Sequence, residues 1–192
     1  AVKAGVKGIM GEKPMACSLG ESDLMLDSCR THGVKLAIGH QRRFNPQNVE
    51  VRRLIKDGKI GQPMAMLRRD AYGLLNRGTH ELDEMMYLLG DPKPVWVLSQ
   101  VTRKTDRWER RVRCEDRCGA IIAFENGIRG TYESDLPEPG FPGDVIYGTE
   151  GILKRGMDGT VLLLNRQFDD WQTITPPVVQ FDQYDEFILW MD

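Results

Sequence analysis

The 192-residue chain has 41% hydrophobic and 28% charged residues, which is ordinary for a globular protein. Its formal net charge of −2 gives no indication of nucleic acid or an anionic membrane as a partner. No apolar run approaches the ~18 residues that a membrane span requires. The four cysteines form no CxxC pair, and no histidine lies near Cys114 and Cys118, so we expect free thiols in a reducing, cytoplasmic compartment and no metal site.

The first forty residues have the pattern of a strand, a helix and a second strand. Apolar strands are predicted at 6–12 and 34–39, and an S-x-x-E capping box opens a helix at 18–31 between them. We expect this helix to turn Leu26 and Cys29 inward. Because a strand–helix–strand crossover joins parallel strands with a right-handed turn, the sequence predicts a parallel βαβ unit.

The remainder of the chain has more strands than helices. Hydrophobic periodicity and Gly or Pro punctuation predict helices at 47–57, 76–89 and 179–191, and strands at 64–72, 95–101, 120–125, 128–133, 144–147, 152–154 and 161–164. Asn126-Gly127, between two of these strands, is the strongest short hairpin signal. Since several strands follow one another without helices, we expect an α/β remnant followed by an α+β domain with a large, mostly antiparallel sheet.

One candidate for chemistry lies in the N-R-G-T-H-E-L-D stretch at 76–83, which opens a helix. Asn76 and His80 are four residues apart, so they lie one above the other if the first turn is helical. An imidazole held by an amide, and facing away from the apolar side of the helix, suits proton transfer near neutral pH. The alternative interpretation is that His80 is a satisfied surface or core histidine without a chemical role. Only a second constellation of candidate residues would overturn that interpretation.

The second candidate is Lys13 in the G-E-K-P stretch, at the carboxyl end of the first parallel strand. Open α/β sheets bind ligands at that edge. Pro14 fixes the backbone beside Lys13, so the ammonium is aimed and could neutralise a developing alkoxide. A solvated surface lysine is the alternative interpretation.

Three other features have plainer interpretations. Residues 103–117 mix basic and acidic side chains, and we interpret them as a solvated loop or a subunit contact, not as a nucleic-acid surface. Trp96, Trp171 and Trp190 are predicted to lie in the core or in an interface rather than to form a platform for a cofactor. Residues 135–140 are predicted to form a loop.

Four motifs, in this order and spacing, resemble those of the Gfo/Idh/MocA family. They are G-E-K-P at 11–14, R-F-x-P at 43–46, N-x-G-x-H-x-x-D at 76–83 and G-T-E-G at 148–151. The family comprises nicotinamide-dependent sugar and cyclitol dehydrogenases related to glucose–fructose oxidoreductase and inositol dehydrogenase. The resemblance covers nearly the whole chain.

The resemblance implies two domains. Residues 1–41 would be the C-terminal end of a dinucleotide-binding Rossmann domain, and residues 42–192 would be most of a substrate-binding α+β domain. No G-x-G-x-x-G motif opens a helix in this sequence, so we expect an internal fragment whose phosphate-binding loop lies upstream and whose last helix lies downstream. We expect the fragment alone to be inactive.

The resemblance also implies roles for individual residues. Lys13 would hydrogen-bond the reacting hydroxyl, and His80 would be the general base or acid. The family usually has an aspartate four residues before this histidine, whereas Asn76 can orient the ring but supplies no charge. We therefore expect substrate contacts from Lys13, Asn76 and His80. The cofactor, NAD or NADP, is expected to contact Glu12, Lys13, Pro14, Gln41 and Arg43. For Arg43, a structural or substrate-side role is the alternative.

Three functions fit the resemblance. The favoured one is hydride transfer between a sugar- or cyclitol-like secondary alcohol and NAD(P), in a homo-oligomer formed through the sheet of the second domain. Because Asn76 replaces an aspartate, a homologue that binds cofactor and sugar without turnover is a second possibility. The third is an NAD-dependent glycosidase of the same fold that oxidises its substrate transiently.

Overall fold

The structure of the chain is a computed structural model that describes residues 1–70, 73–134, 144–156 and 158–191. Its first part is a strand–helix–strand unit formed by β1 (Gly8–Glu12), α1 (Leu19–Thr31) and β2 (Lys35–Gly39). The two strands pair in parallel, as the sequence predicts. Helix α1 is capped by Ser18, whose hydroxyl oxygen accepts a hydrogen bond from a backbone N–H of the first turn.

One predicted orientation in α1 is wrong. The side chain of Leu26 is 43% exposed, and Cys29 is the one buried residue of this helix. Leu24, Met25 and Leu26 are consecutive, and consecutive side chains of a helix point about 100° apart. Met25 is four residues before Cys29 and shares its face, so Leu26 points away from β2.

The described residues after position 40 contribute ten strands. In chain order they are β3 (Pro63–Arg69), β4 (Pro94–Thr102), β5 (Trp108–Glu109), β6 (Val112–Arg113), β7 (Arg117–Phe124), β8 (Arg129–Glu133), β9 (Val145–Gly148), β10 (Gly151–Arg155), β11 (Val161–Asn165) and β12 (Gln172–Ile174). All but β5 and β6 form one sheet in the order β12-β11-β10-β9-β3-β8-β7-β4. Within this eight-stranded sheet only the β3–β8 pair is parallel, so the prediction of a large, mostly antiparallel sheet is confirmed.

The strand predictions hold in outline. Strands β7 and β8 pair antiparallel on either side of Asn126-Gly127, as that dipeptide indicates. Strand β12 was not predicted, and the short hairpin of β5 and β6 lies inside the stretch interpreted as a charged loop. Residues 71 and 72 of the strand predicted at 64–72, and the loop predicted at 135–140, lie outside the described residues.

Three further α-helices lie in the described part of the chain, namely α2 (Pro46–Lys56), α3 (Thr79–Leu88) and α4 (Gln183–Met191). Helices α2 and α3 pack against each other and against the large sheet, and α4 lies against β2. The core between helices and sheet is formed by Val51, Leu54, Ile60, Met66, Met85, Leu88, Phe124, Tyr132, Ile146, Leu153 and Val161. Within the described ranges, no helix combines the length and apolarity needed to cross a bilayer.

The edge strand β4 leaves apolar side chains in solvent. Val95, Trp96, Val97, Leu98 and Val101 are each more than half exposed. The core location that was one alternative for Trp96 and Trp190 is therefore wrong, since their exposed fractions are 52% and 48%. The apolar surface of β4 extends onto the neighbouring strand β7 through Ile121, which is 41% exposed.

Candidate active site

Lys13 follows the carboxyl end of β1, and its side chain reaches the segment that precedes α3. The ammonium Nζ donates hydrogen bonds to the Asn76 backbone oxygen at 2.8 Å and to the Asn76 side-chain oxygen Oδ1 at 3.0 Å. The peptide bond between Lys13 and Pro14 is cis. Burial lowers the pKa of Lys13, and the positive charges of Arg110 and Arg42 lower it further. Two stretches far apart in sequence thus meet at one lysine.

The turn that carries Asn76 is not an ordinary α-helical turn. Residues Leu74–Gly78 form a single π-helical turn, in which the Gly78 N–H donates to the Gly73 carbonyl oxygen at 3.1 Å. Gly78 is closely packed, because an added Cβ would lie 3.1 Å from both the Leu74 side chain and the Tyr132 hydroxyl. The wider turn brings the Asn76 amide to Lys13 and not to the ring of His80, which differs from the stacking expected for a regular helix.

His80 is the second residue of α3, and its side chain is buried, with 8% of the residue exposed. Its ring nitrogen Nδ1 is buried and has no hydrogen-bond partner. Burial lowers the pKa of His80 to about 4, and the charges of Arg42, Lys13, His40 and Arg77 act in the same direction. The imidazole is therefore neutral at pH 7 and is able to accept a proton.

A second histidine, which the sequence analysis did not single out, faces His80. His40 follows the carboxyl end of β2, and the two ring centroids are 6.3 Å apart with an interplanar angle of 88°. Its Nδ1 lies 3.4 Å from a carboxylate oxygen of Asp83, too poorly aligned for a hydrogen bond. Burial lowers the pKa of His40, and Asp83 opposes that shift. The sequence feature that could have identified His40 was its position directly after β2, since β1 and β2 end at the same edge of the sheet.

Arg43 connects the segment after β2 to α3. Its guanidinium donates to the Asp83 carboxylate through Nε at 2.9 Å and through Nη2 at 2.6 Å, and its Nη1 lies 2.9 Å from Asp91. Of the other residues predicted to contact a cofactor, Glu12 and Gln41 are exposed and Pro14 is partly buried. The Arg43 guanidinium is thus already bound to two carboxylates.

A buried network of charges lies beneath the site and was not predicted. Arg68 on β3 contacts Asp144, Glu81 and Glu84, with the last at 2.7 Å. Arg155 on β10 adds contacts to Glu84 at 2.9 Å and to Asp144 at 2.7 Å. The four groups Arg68, Glu81, Glu84 and Asp144 are each 3% exposed or less. Because Glu81 and Glu84 belong to α3, the network fixes the helix that carries His80 on the sheet.

The comparison with known protein families gives one match. Residues 67–154 match the model of the GFO/IDH/MocA C-terminal domain. This range begins within β3, contains α3, and ends within β10.

Individual relatives agree with that match. The chain is 26% identical over 200 residues to a D-apiose dehydrogenase from Paraburkholderia graminis, covering 92% of this chain and 52% of the relative. It is 25% identical to a scyllo-inositol 2-dehydrogenase (NAD(+)) from Bacillus subtilis, covering 79% of this chain and 49% of the relative. The chain thus spans about half the length of the curated relatives it matches.

A solved structure shares the fold. A crystal structure of an NAD binding oxidoreductase from Klebsiella pneumoniae superposes with a TM-score of 0.75 and 20% sequence identity, and the match covers 92% of this chain and 56% of that chain. At that identity the similarity concerns the fold alone.

Proposed function

Because this chain belongs to the Gfo/Idh/MocA family, we propose that it forms the reacting part of an NAD(P)-dependent oxidoreductase. Its proposed substrate is a sugar- or cyclitol-like secondary alcohol, the class to which apiose and inositol belong. Residues 1–41 are proposed to end a Rossmann domain, and residues 42–192 to form the substrate domain. The observation that carries the proposal is the pair of hydrogen bonds from Lys13 to the turn that leads into His80.

The carboxyl edge of β1 and β2 fits the nicotinamide end of such a cofactor. Ligands of open α/β sheets bind at this edge, and Glu12, Lys13 and Gln41 leave it at least partly exposed. A bound nicotinamide would accept the hydride. Arg43 suits this contact less well, because its guanidinium is bound to Asp83 and Asp91. We therefore assign Arg43 to holding α3 in position.

The proposed chemistry divides between an ammonium and an imidazole. The Lys13 ammonium donates to the substrate hydroxyl oxygen and stabilises the negative charge that grows there. His80 accepts the hydroxyl proton, since its lowered pKa of about 4 keeps the ring neutral at pH 7. The Nδ1 atom of His80 is buried, so Nε2 is the proposed acceptor.

The proposal is tested by incubating the full-length protein with NAD or NADP and a panel of sugars and polyols. We expect substrate-dependent formation of the reduced cofactor with at least one secondary alcohol, and its absence across the panel would reject the oxidoreductase. Release of free sugar without net cofactor reduction would indicate the glycosidase instead. A His80→Gln variant is the control for adventitious reduction, because it removes the proposed base.

A second candidate, binding of cofactor and sugar without turnover, is favoured by one observation. The residue four positions before His80 is Asn76, and its amide is engaged with Lys13 rather than with the imidazole. Calorimetric binding of both ligands in a protein that never reduces the cofactor would support this candidate.

Replacing Asn76 by aspartate is predicted to change the pH dependence of the oxidation. A carboxylate in place of the Asn76 side-chain oxygen, which lies 3.0 Å from the Lys13 ammonium, raises the pKa of Lys13 and of His80. Because His80 acts as a base only when neutral, kcat/KM falls at a higher pH on the acid side in this variant. The pH profile of kcat/KM is compared with that of Asn76→Ala, which removes the amide without adding charge. Superimposable profiles for Asn76→Asp and the unmodified protein would contradict the prediction.

The exposed apolar surface of β4 supports a homo-oligomer through the large sheet, because monomeric proteins seldom expose contiguous apolar surface of this kind. Val97→Glu is predicted to shift the assembly towards monomer, since it places a charge in the proposed contact. Light scattering measures the molar mass, and a monomeric unmodified protein would contradict the assignment.

A further inference from the structure

His40 and His80 form a pair of neighbouring imidazoles at the junction of the two parts of the chain. The Nδ1 atoms of both rings are buried and lack a hydrogen-bond partner. Buried polar atoms in native proteins are nearly always paired, and the exceptions often mark a reactive group or a water site. The two rings are in edge-to-face contact, with centroids 6.3 Å apart.

His40 also lines a cavity whose wall is largely apolar and carries several polar side chains. The cavity has a volume of about 460 Å³, and His40, Asp83, Gln183 and Glu186 are among its lining residues. The Gln183 side-chain oxygen, like the two imidazole nitrogens, is buried without a partner. A cavity of this size with several unsatisfied polar atoms accommodates ordered water. His40 therefore contacts the candidate base and also lines a cavity with polar groups, and Lys13 is not among the residues that line it.

Resting on the proposed oxidoreductase function, we infer that His40 and Asp83 form a proton relay that carries the substrate proton from His80 to the cavity. The hydroxyl proton binds Nε2 of His80, and the proton on Nδ1 of His80 passes to His40, directly or through one water. His40 releases a proton from its other ring nitrogen towards the Asp83 carboxylate and the cavity water. The electron pair leaves the substrate with the hydride, so only protons travel along this path, and reduction uses it in reverse.

This relay accounts for the position of Asp83. With Asn76 turned to Lys13, no carboxylate hydrogen-bonds His80 directly within the described residues. Asp83 supplies negative charge one ring further away, 3.4 Å from His40, and Arg43 holds it there through two donor atoms. The charged groups acting on His40 are Asp83, Arg43, Lys13 and Glu12, and those acting on His80 are Arg42, Lys13, Arg77 and His40 itself.

The test compares His40→Ala and His40→Gln with His32→Gln in the full-length protein, assayed with the alcohol that gives turnover. His32 is an exposed histidine at the end of α1, so it is a matched control outside the site. We expect kcat to fall about 10- to 100-fold in both His40 variants with KM changed by less than about threefold, since relay loss affects proton transfer and not binding. Free imidazole should restore the His40→Ala rate in proportion to its concentration, because it replaces the missing ring.

Two outcomes would overturn the relay. One is an unchanged kcat in the His40 variants, and the other is a lowered kcat that imidazole does not rescue, which would indicate a structural role. NMR titration of the ring provides a readout independent of turnover. Removing the His40 ring by His40→Gln should raise the pKa of His80, and an unaltered His80 titration would overturn the coupling. If the protein never reduces the cofactor but its two histidines titrate together, the proposed function is rejected. The coupling between the two histidines is then retained.

Discussion

Replacing Lys13 by alanine is expected to lower kcat by about 10²- to 10³-fold, the loss typical of removing one donor to a developing oxyanion. In the proposed reaction the Lys13 ammonium is the cation that contacts the reacting oxygen, while His80 supplies only a neutral ring. Affinity for the cofactor should stay within about threefold, because the cofactor phosphates bind elsewhere in such folds. The measurements are kcat and KM with the alcohol and the cofactor dissociation constant by calorimetry.

The Lys13 test needs a control for structure, because the same ammonium also holds the turn at Asn76 through bonds of 2.8 and 3.0 Å. Lys13→Met keeps the length and the apolar stem of the side chain but removes the charge. If charge is what matters, Lys13→Met and Lys13→Ala lose similar activity while their melting temperatures stay near that of the unmodified protein. Lys7→Ala is the matched control, because Lys7 is an exposed lysine just before β1 and its replacement should leave the activity unchanged. Full turnover in Lys13→Ala would reject the assignment.

The parts of the fold that follow from local signals were predictable. The alternation of strand and helix before residue 40 indicates the parallel pair, and Asn126-Gly127 indicates the hairpin of β7 and β8. Each of these signals lies within an element or in the turn next to it, so it does not depend on contacts with distant parts of the chain. The error at Leu26 has a local cause as well, because three consecutive apolar residues do not define a single helical face.

The parts that were missed depend on contacts between distant residues. The Asn76–His80 spacing indicates stacking only if the turn is α-helical, and the π turn at Leu74–Gly78 changes the direction of the amide. The pairing of His40 with Asp83 requires β2 and α3 to be docked, which no periodicity encodes. Family motifs pointed to Lys13 and His80, whereas the contact between His40 and His80 and the buried charges became visible only in three dimensions.

Replacing Arg68 by methionine is expected to lower the free energy of unfolding by about 3–5 kcal/mol, the usual effect of removing one partner of a buried ion pair. Arg68 is 3% exposed and contacts three carboxylates, from Glu81, Glu84 and Asp144. Methionine fills much of the volume but leaves those carboxylates with Arg42, Arg77 and Arg155 as their remaining cationic neighbours among the described residues. Urea unfolding measures the lost free energy of unfolding. An unchanged m-value would show that the variant exposes the same surface on unfolding as the unmodified protein.

The pH dependence of the Arg68→Met variant separates lost charge pairing from lost packing. Buried carboxylates without a cation have raised pKa values, so they take up protons as the pH falls from 7 towards 4. Protonation removes the unpaired charge, and the stability gap between the variant and the unmodified protein should narrow over that range. Arg30→Met is the matched control, because Arg30 pairs with Asp27 and both side chains are largely exposed, at 78% and 69%. Such a pair contributes less than about 1 kcal/mol. A gap for Arg68→Met that is equally large at both pH values would mean that the guanidinium acts through packing, and that α3 is held on the sheet by shape rather than by charge.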